Sequence, residues 1–400
     1  MIQVAVMGYG TVGSGVVQVI KDNNSVINGR LNEGIDVKYI LDLRDFPGDP
    51  YESLVVHDYN VILNDPEIKI ICETMGGLKP AYDFSKAALE RGISVCTSNK
   101  ELVAAHGPEL IKIAREHNCN YMFEASVGGG IPIIRPLNSS LASEDIDGIM
   151  GILNGTTNYI LTKMEREGSK FEDVLKEAQD LGYAERNPEA DVEGHDAGRK
   201  IAILASLMAG AYVHYEDVYT EGITKITAAD FAYAKKMNRT IKIFGISKKE
   251  DGEYYAMVAP FMVAMSHPMS MVNDVFNAIF VHGNMVDNTM YYGRGAGKLP
   301  TAAAVVSDVI ECARNVGSFV PVYWSEENAP IKGTDDVKNR FFVRCEAAKE
   351  SDALRIFETV SAISADVDGE FAFTTQEMTE KQFASKAEEL GIISRIRLAD

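Results

Sequence analysis

Residues 8–13 read Gly-Tyr-Gly-Thr-Val-Gly, directly after the apolar run IQVAVM (2–7) and, past Ser14 and Gly15, ahead of the helix-patterned VVQVIKD. Three glycines at this spacing, between a strand and a helix, constrain the fold more than any other feature of the chain. Gly8 permits the tight turn, Gly10 lets the backbone approach a pyrophosphate, and Gly13 lets helix and strand pack closely. The helix start adds free N–H groups and a partial positive charge. The segment is therefore expected to hold a dinucleotide, with a ligand-free strand-to-helix turn as the alternative.

The chain that follows fits this beginning. Apolar strand-like runs VKYILDL (37–43), IKIICETMGG (68–77), ISVCTSN (93–99) and CNYMFEAS (119–126) alternate with helical patterns at 81–92 and 100–118. Strands that are apolar throughout and separated by helices indicate a parallel sheet covered on both faces. The fold class expected is α/β: a doubly wound Rossmann domain over 1–135, re-entered near 300–324 by AAAVVSDVIECARN. An α+β domain for substrate binding and dimerisation is expected over 136–299. The polar stretch 325–338 has linker composition. Residues 339–400 read as a small α/β unit: strand RFFVRCEA, helix SDALRIFETVSA (351–362), strands near 363–377, helix TEKQFASKAEEL and strand IISRIRLA.

The 400 residues hold 58 acids and 39 bases, a net charge of −19. Such a chain has no overall field for nucleic acid or for an anionic membrane, so an anionic cofactor must be held by a local arrangement. The N-terminus has no basic region ahead of an apolar stretch, and no apolar run is long enough to span a bilayer, so the expected location is cytoplasmic. The five cysteines are widely spaced without a C-x-x-C pair and read as reduced packing residues. Cofactor type stays open. Asp42 at the end of the second strand suits a ribose 2′-hydroxyl of NAD, whereas Arg44 suits the 2′-phosphate of NADP.

Two further segments carry chemistry. Glu124–Pro132, EASVGGGIP, can curl its carbonyls inward, and a carboxylate with backbone oxygens suits a hard cation such as sodium. Beyond Gly194, a helix-spaced apolar stripe runs through Ala197, Ile201, Leu204, Ala205 and Met208. Lys200 points along that stripe, with Asp196 four residues before it on the same face. A lysine directed inward beside a carboxylate reads either as a structural ion pair or as a general acid/base. Glu185 and Asp191 upstream add carboxylates suited to an ammonium-bearing substrate.

Over about residues 1–325 the sequence resembles the homoserine dehydrogenases. The likeness runs through GYGTVG, TSNKELVA (97–104), EASVGGGIPII (124–134), GILNGTTNYIL (151–161), LGYAE…DVEGHDAGRK (181–200) and GRGAGKLPT (293–301). It implies reversible hydride transfer between homoserine and aspartate semialdehyde with NAD(P)H. It makes Lys200 the catalytic lysine, assisted by Asp196. It implies substrate binding by Glu185, Asp191, Gly182 and Thr156, and cofactor binding by Thr11, Val12 and Lys100 beside the three glycines and Arg44. A sodium site is implied at Glu124, Val127, Gly129 and Ile131, the last three through backbone carbonyls. The implied assembly is a homodimer or homotetramer, and the tail resembles a shortened ACT-type regulatory domain whose first loop, EAAKESDAL, lacks the Pro-Gly pair usual at the effector pocket.

Overall fold

The glycine turn sits where the strand pattern puts it, at the carboxyl end of the first strand of a parallel sheet. The computed structural model describes residues 1–365 and 367–399, in two compact units. The first unit comprises Met1–Glu144, Ser206–Tyr215 and Tyr291–Ala329. Its sheet is formed by β1 (Ile2–Met7), β2 (Ile35–Leu41), β3 (Val55–Val56), β4 (Ile68–Glu73), β5 (Ser94–Thr97) and β6 (Tyr121–Met122), in the order β3-β2-β1-β4-β5-β6. Every pairing is parallel. The order reverses direction next to β1, and in such sheets ligands bind at that switch point, outside the carboxyl ends of the strands.

Helix Thr11–Asp22 packs on this sheet together with Lys298–Arg314, which returns to the unit late in the sequence. Val16, Val17 and Ile20 share one core with Ala302, Val305, Val306 and Val309. Cys96 and Cys312 bring their sulfurs within 3.6 Å inside it, and all five cysteines are buried free thiols.

The second unit comprises Asp145–Ala205, Glu216–Met290 and Pro330–Asp400. Its strands are β7 (Ile146–Ile152), β8 (Tyr219–Thr220), β9 (Arg239–Glu250), β10 (Glu253–Ala264), β11 (Phe276–Gly283), β12 (Asp287–Arg294), β13 (Lys338–Asn339), β14 (Phe341–Glu346), β15 (Val360–Ile363), β16 (Glu370–Thr375), β17 (Met378–Thr379) and β18 (Ser394–Ala399). Ten of them make one mixed sheet, β12-β11-β7-β9-β10-β18-β14-β16-β15, with β8 added on β10. β9 and β10 form its long central hairpin, whose apolar faces build the core around Phe244, Met257 and Phe261.

Three expectations are corrected. Residues 339–400 do not stand apart: β18 pairs in parallel with β10 through Phe261–Arg397, Met262–Leu398 and Val263–Ala399, so the tail extends the same sheet. Residues 325–338 are no free linker. Ala329 donates to the Tyr212 carbonyl at 2.8 Å, and Lys332 donates to the Tyr254 carbonyl at 2.8 Å. Polar composition there describes solvent-facing side chains while the backbone is paired. The helix expected over 351–362 ends at Phe357, because Glu358 takes φ +59° and Val360–Ile363 becomes an edge strand. Residue 366 of the expected strand region and residue 400 of the expected terminal unit lie outside the described residues. No helix among the described residues is long and apolar enough to cross a membrane.

Candidate active site

In the first unit the glycine turn has the geometry of a phosphate cradle. Gly8 takes φ +90°, and a Cβ on Gly13 would lie 1.8 Å from the Gly8 carbonyl oxygen, so neither position tolerates a side chain. Nothing lies within 4 Å of where a Gly10 Cβ would be, which leaves the approach to the helix start open. Thr11 and Val12 form that helix start, whose N-cap Gly10 has no side-chain cap, so its first N–H groups are left for a ligand. These features fit a dinucleotide pyrophosphate.

A cavity of about 500 Å³ adjoins the turn, lined among others by Gly8, Gly10, Asp42, Arg44, His57 and Tyr59. Asp42 accepts the Tyr9 N–H at 2.8 Å and is gripped by Arg44 through Nε and Nη2, each at 2.9 Å. The Arg44 guanidinium holds the Asp42 carboxyl well below the usual carboxylate range, against the opposing effect of burial. His57 bonds the Asp42 carbonyl at 2.7 Å and Asp45 at 3.0 Å, and the Asp42 carbonyl first among these contacts raises its pKa. The sequence reading did not single out His57.

Glu73 was also missed, although a lone acid closing the apolar run IKIIC was its signal. It is fully buried at the end of β4, where burial pushes its carboxyl up. It accepts the Thr97 hydroxyl at 2.6 Å and the Met75 N–H at 2.8 Å. Thr97 in turn accepts the Asn99 N–H at 2.9 Å, and Asn99 caps the helix that Lys100 opens. Lys100 is thus placed by a chain of bonds rooted in a buried carboxylate.

The segment 124–131 lies in this unit too. The buried Glu124 carboxylate accepts main-chain N–H groups from Ile133, Ile134 and Arg135 at 2.5, 2.8 and 2.8 Å. Both of its oxygens accept main-chain N–H groups, so the side chain is anchored to the 133–135 backbone. Val127, Gly129 and Ile131 are buried, and no donor among the described residues reaches their carbonyl oxygens. Unpaired buried carbonyls suit a hard cation. Nearby Asp308 accepts the Glu124 N–H at 2.8 Å and an Arg135 N–H at 2.7 Å, while burial and then Glu124 raise its pKa to about 8.

The second unit gathers the lysine and its acids. Lys200 lies on helix His195–Ala209, whose stripe Ala197, Ile201, Leu204, Ala205 and Met208 is buried. Its ammonium donates to Asp196 Oδ2 at 2.7 Å and to the Leu153 carbonyl at 2.8 Å. An ammonium has three donors, so one N–H remains beyond these two bonds. Asn154, which the sequence reading passed over, ties the group together. Its Nδ2 donates to Asp191 at 2.7 Å and to Asp196 at 2.9 Å, while its Oδ1 accepts the Thr157 N–H and caps helix Gly155–Glu167. The Asn-Gly-Thr-Thr opening of that helix was the available signal.

The remaining expected substrate residues lie nearby in the chain but outside this cluster. Thr156 donates to the Tyr183 carbonyl at 2.6 Å. Gly182 turns the chain after helix Phe171–Asp180 with φ +76°. Glu185 is exposed, and its carbonyl, not its carboxylate, is tied to Gln179.

A nucleotide cradle in one unit and a paired lysine in the other match a known set of enzymes. Residues 8–124 match the family model "Homoserine dehydrogenase, NAD binding domain", and residues 132–310 match "Homoserine dehydrogenase". The homoserine dehydrogenase of Bacillus subtilis is 42% identical over 361 residues, spanning 87% of this chain and 82% of that one. That of Helicobacter pylori is 39% identical, over 92% of this chain and 86% of its own. This chain belongs to the homoserine dehydrogenase family.

The crystal structure of a homoserine dehydrogenase from Thiobacillus denitrificans superposes with TM-score 0.92 at 33% identity, covering 100% of this chain and 98% of that one. A hyperthermophilic archaeal homoserine dehydrogenase solved in complex with NADPH superposes with TM-score 0.66 at 27% identity, over 78% of this chain and 97% of its own. As a homoserine dehydrogenase the chain is an NAD(P)-dependent oxidoreductase that reversibly reduces L-aspartate 4-semialdehyde to L-homoserine, a step of amino-acid biosynthesis.

Asn154→Ser keeps an oxygen to cap the helix but removes the two-pronged donor. In initial-rate assays kcat/KM is expected to fall roughly a hundredfold, as for a misplaced catalytic group, with the thermal unfolding midpoint retained. Unchanged rates would show that the two acids need no shared donor.

Proposed function

We propose that Lys200 is the proton donor of the homoserine dehydrogenase reaction. The single observation behind this is its ammonium, held by Asp196 and Leu153 with one N–H left over. When bound, the nicotinamide supplies a hydride to the aldehyde carbon. Lys200 gives its proton to the aldehyde oxygen as negative charge develops there, and takes it back when homoserine is oxidised. Asp196 fixes the direction of the Lys200 side chain. Asp191, and Glu185 from its exposed turn, supply negative charge for the substrate's ammonium group, while Thr156 and Gly182 shape the adjoining backbone. Lys200→Ala is expected to lower kcat by three or more orders of magnitude, beyond the usual 10²–10⁴ for one acid/base group at its low end, with NADPH binding retained. A folded Lys200→Ala variant of near-normal rate would overturn the role.

For the cofactor we propose that Arg44 and His57 favour NADP over NAD. Support comes from the Arg44 guanidinium and the His57 imidazole at one cavity beside the cradle, and from Asp42 having both oxygens engaged already. Lys100, Thr11 and Val12 complete the proposed contacts. Arg44→Ala is expected to raise KM for NADPH at least fivefold, the loss of about 1 kcal/mol or more from one charge-assisted contact, and to leave KM for NADH within twofold. Equal effects on both would contradict it.

A sodium ion held by Glu124 and by the main-chain carbonyls of Val127, Gly129 and Ile131 is proposed as a structural ion. Replacing Na⁺ by choline at constant ionic strength is expected to lower the rate, with recovery on adding NaCl; indifference to the exchange would remove the ion from the account. A cytoplasmic homodimer or homotetramer is the proposed setting.

A further inference from the structure

Residues Tyr219–Thr224 run between the last strand of the chain and the turn that separates Asp191 from Asp196. On one side, Arg395 and Arg397 of β18 each donate from Nη1 to the same Glu221 oxygen, Oε2, at 2.7 Å. The Tyr219 hydroxyl adds a bond to that oxygen at 3.1 Å. Arg397 is fully buried and also grips Glu380 with two bonds of 2.6 and 2.9 Å. Burial works to raise the Glu221 carboxyl, but the two arginines outweigh it and hold it below its ordinary value.

On the other side the same short segment secures the turn. Ile223 donates its N–H to the Val192 carbonyl at 2.9 Å, and the Thr224 hydroxyl donates to Glu193 at 3.1 Å. A Cβ on Gly222 would lie 2.2 Å from the Val192 carbonyl oxygen and 2.6 Å from Glu193 Cα, so the two backbones touch. The main-chain N–H of Glu221 itself bonds the Val258 carbonyl of β10 at 2.8 Å, fixing the segment to the central hairpin. Val192 follows Asp191 directly, and Gly194 precedes the helix that carries Asp196 and Lys200.

We propose that Glu221 is a positioning residue for the reduction: clamped by Arg395 and Arg397, it fixes the Val192–Gly194 turn and with it the spacing of Asp191 from Asp196 and Lys200. The C-terminal strand thereby acts on the catalytic group instead of merely extending the sheet. Glu221 touches no reacting atom, and its effect passes through backbone contacts alone. Without the Glu221 carboxylate Arg397 stays bound to Glu380, so what a single change removes is the tie between this segment and β18. The proposal rests on the assignment of Asp191, Asp196 and Lys200, which the Lys200→Ala variant tests by itself.

The experiment uses the full-length chain with Glu221→Gln, Arg395→Met, Arg395→Lys and the Glu221→Gln/Arg395→Met double variant. Arg395 is the arginine of the clamp with solvent access, 22% of its side chain being exposed against none for Arg397, so its variants keep the buried Arg397–Glu380 pair and give a second route to the test if Glu221→Gln does not fold. Glu221→Gln and Arg395→Met are each expected to raise KM for aspartate semialdehyde and lower kcat, together a loss of roughly tenfold in kcat/KM, with the NADPH dissociation constant within twofold of the parent. The double variant is expected to be no worse than the poorer single one, and Arg395→Lys to recover most of the loss. Folded Glu221→Gln or Arg395→Met enzyme with parental substrate KM and kcat overturns the proposal. So does a fall in cofactor affinity that matches the fall in kcat/KM, because that marks a general loss of structure.

Discussion

Two carboxylates brought within reach of one carboxamide are the constraint on which the lysine cluster of the second unit depends. Asp191 and Asp196 repel each other, and both are drawn in because Asn154 presents two N–H donors and Lys200 a positive charge. Asn154 can do this only because its other end, Oδ1, is fixed by capping the helix that follows. One residue therefore sets a helix start, two acids and, through Asp196, the direction of the lysine. Leu153, immediately before it, supplies the second acceptor for the Lys200 ammonium from its main chain. The cluster is assembled from adjacent residues on the loop after β7, from Asp191 on the short helix Glu189–Val192, and from the first two turns of the lysine helix.

The nucleotide unit solves a different problem with a different economy of charge. A chain of net charge −19 must hold an anionic cofactor. What its first unit offers is backbone: a helix start without a side-chain cap, and a turn in which Gly8 and Gly13 leave no room for a side chain. Basic side chains are few and local, with Arg44 and the His57 imidazole placed around Asp42 and Lys100 anchored through Asn99, Thr97 and Glu73. The global acidity plays no part in this and is left to the solvated surface.

Much of this was legible in the sequence, and the limits have physical causes. The first sheet could be read because parallel strands buried on both faces are apolar throughout, and the glycine spacing marked its switch point. Lys200 and Asp196 could be read because a charged pair on a buried helical stripe is incongruous. Asn154 could not, since a polar residue before a helix looks like any cap, and its two acceptors lie 37 and 42 residues away. The anchoring of Glu124 could not be read, because sequence shows a carboxylate but not that three N–H groups surround it. The tail was read as a separate unit from its polar approach. The sheet pairing of β18 with β10 depends on register across more than a hundred residues, which local patterning does not carry.

The central claim is that the remaining N–H of Lys200 faces the oxygen that gains or loses the proton. A crystal structure of the enzyme with homoserine and oxidised cofactor tests it most directly. The account expects the homoserine hydroxyl oxygen within about 2.6–3.2 Å of Lys200 Nζ, the reach of a working proton donor, with the bonds to Asp196 and Leu153 kept. A hydroxyl turned toward another side chain, with Lys200 engaged only by Asp196 and Leu153, would contradict it.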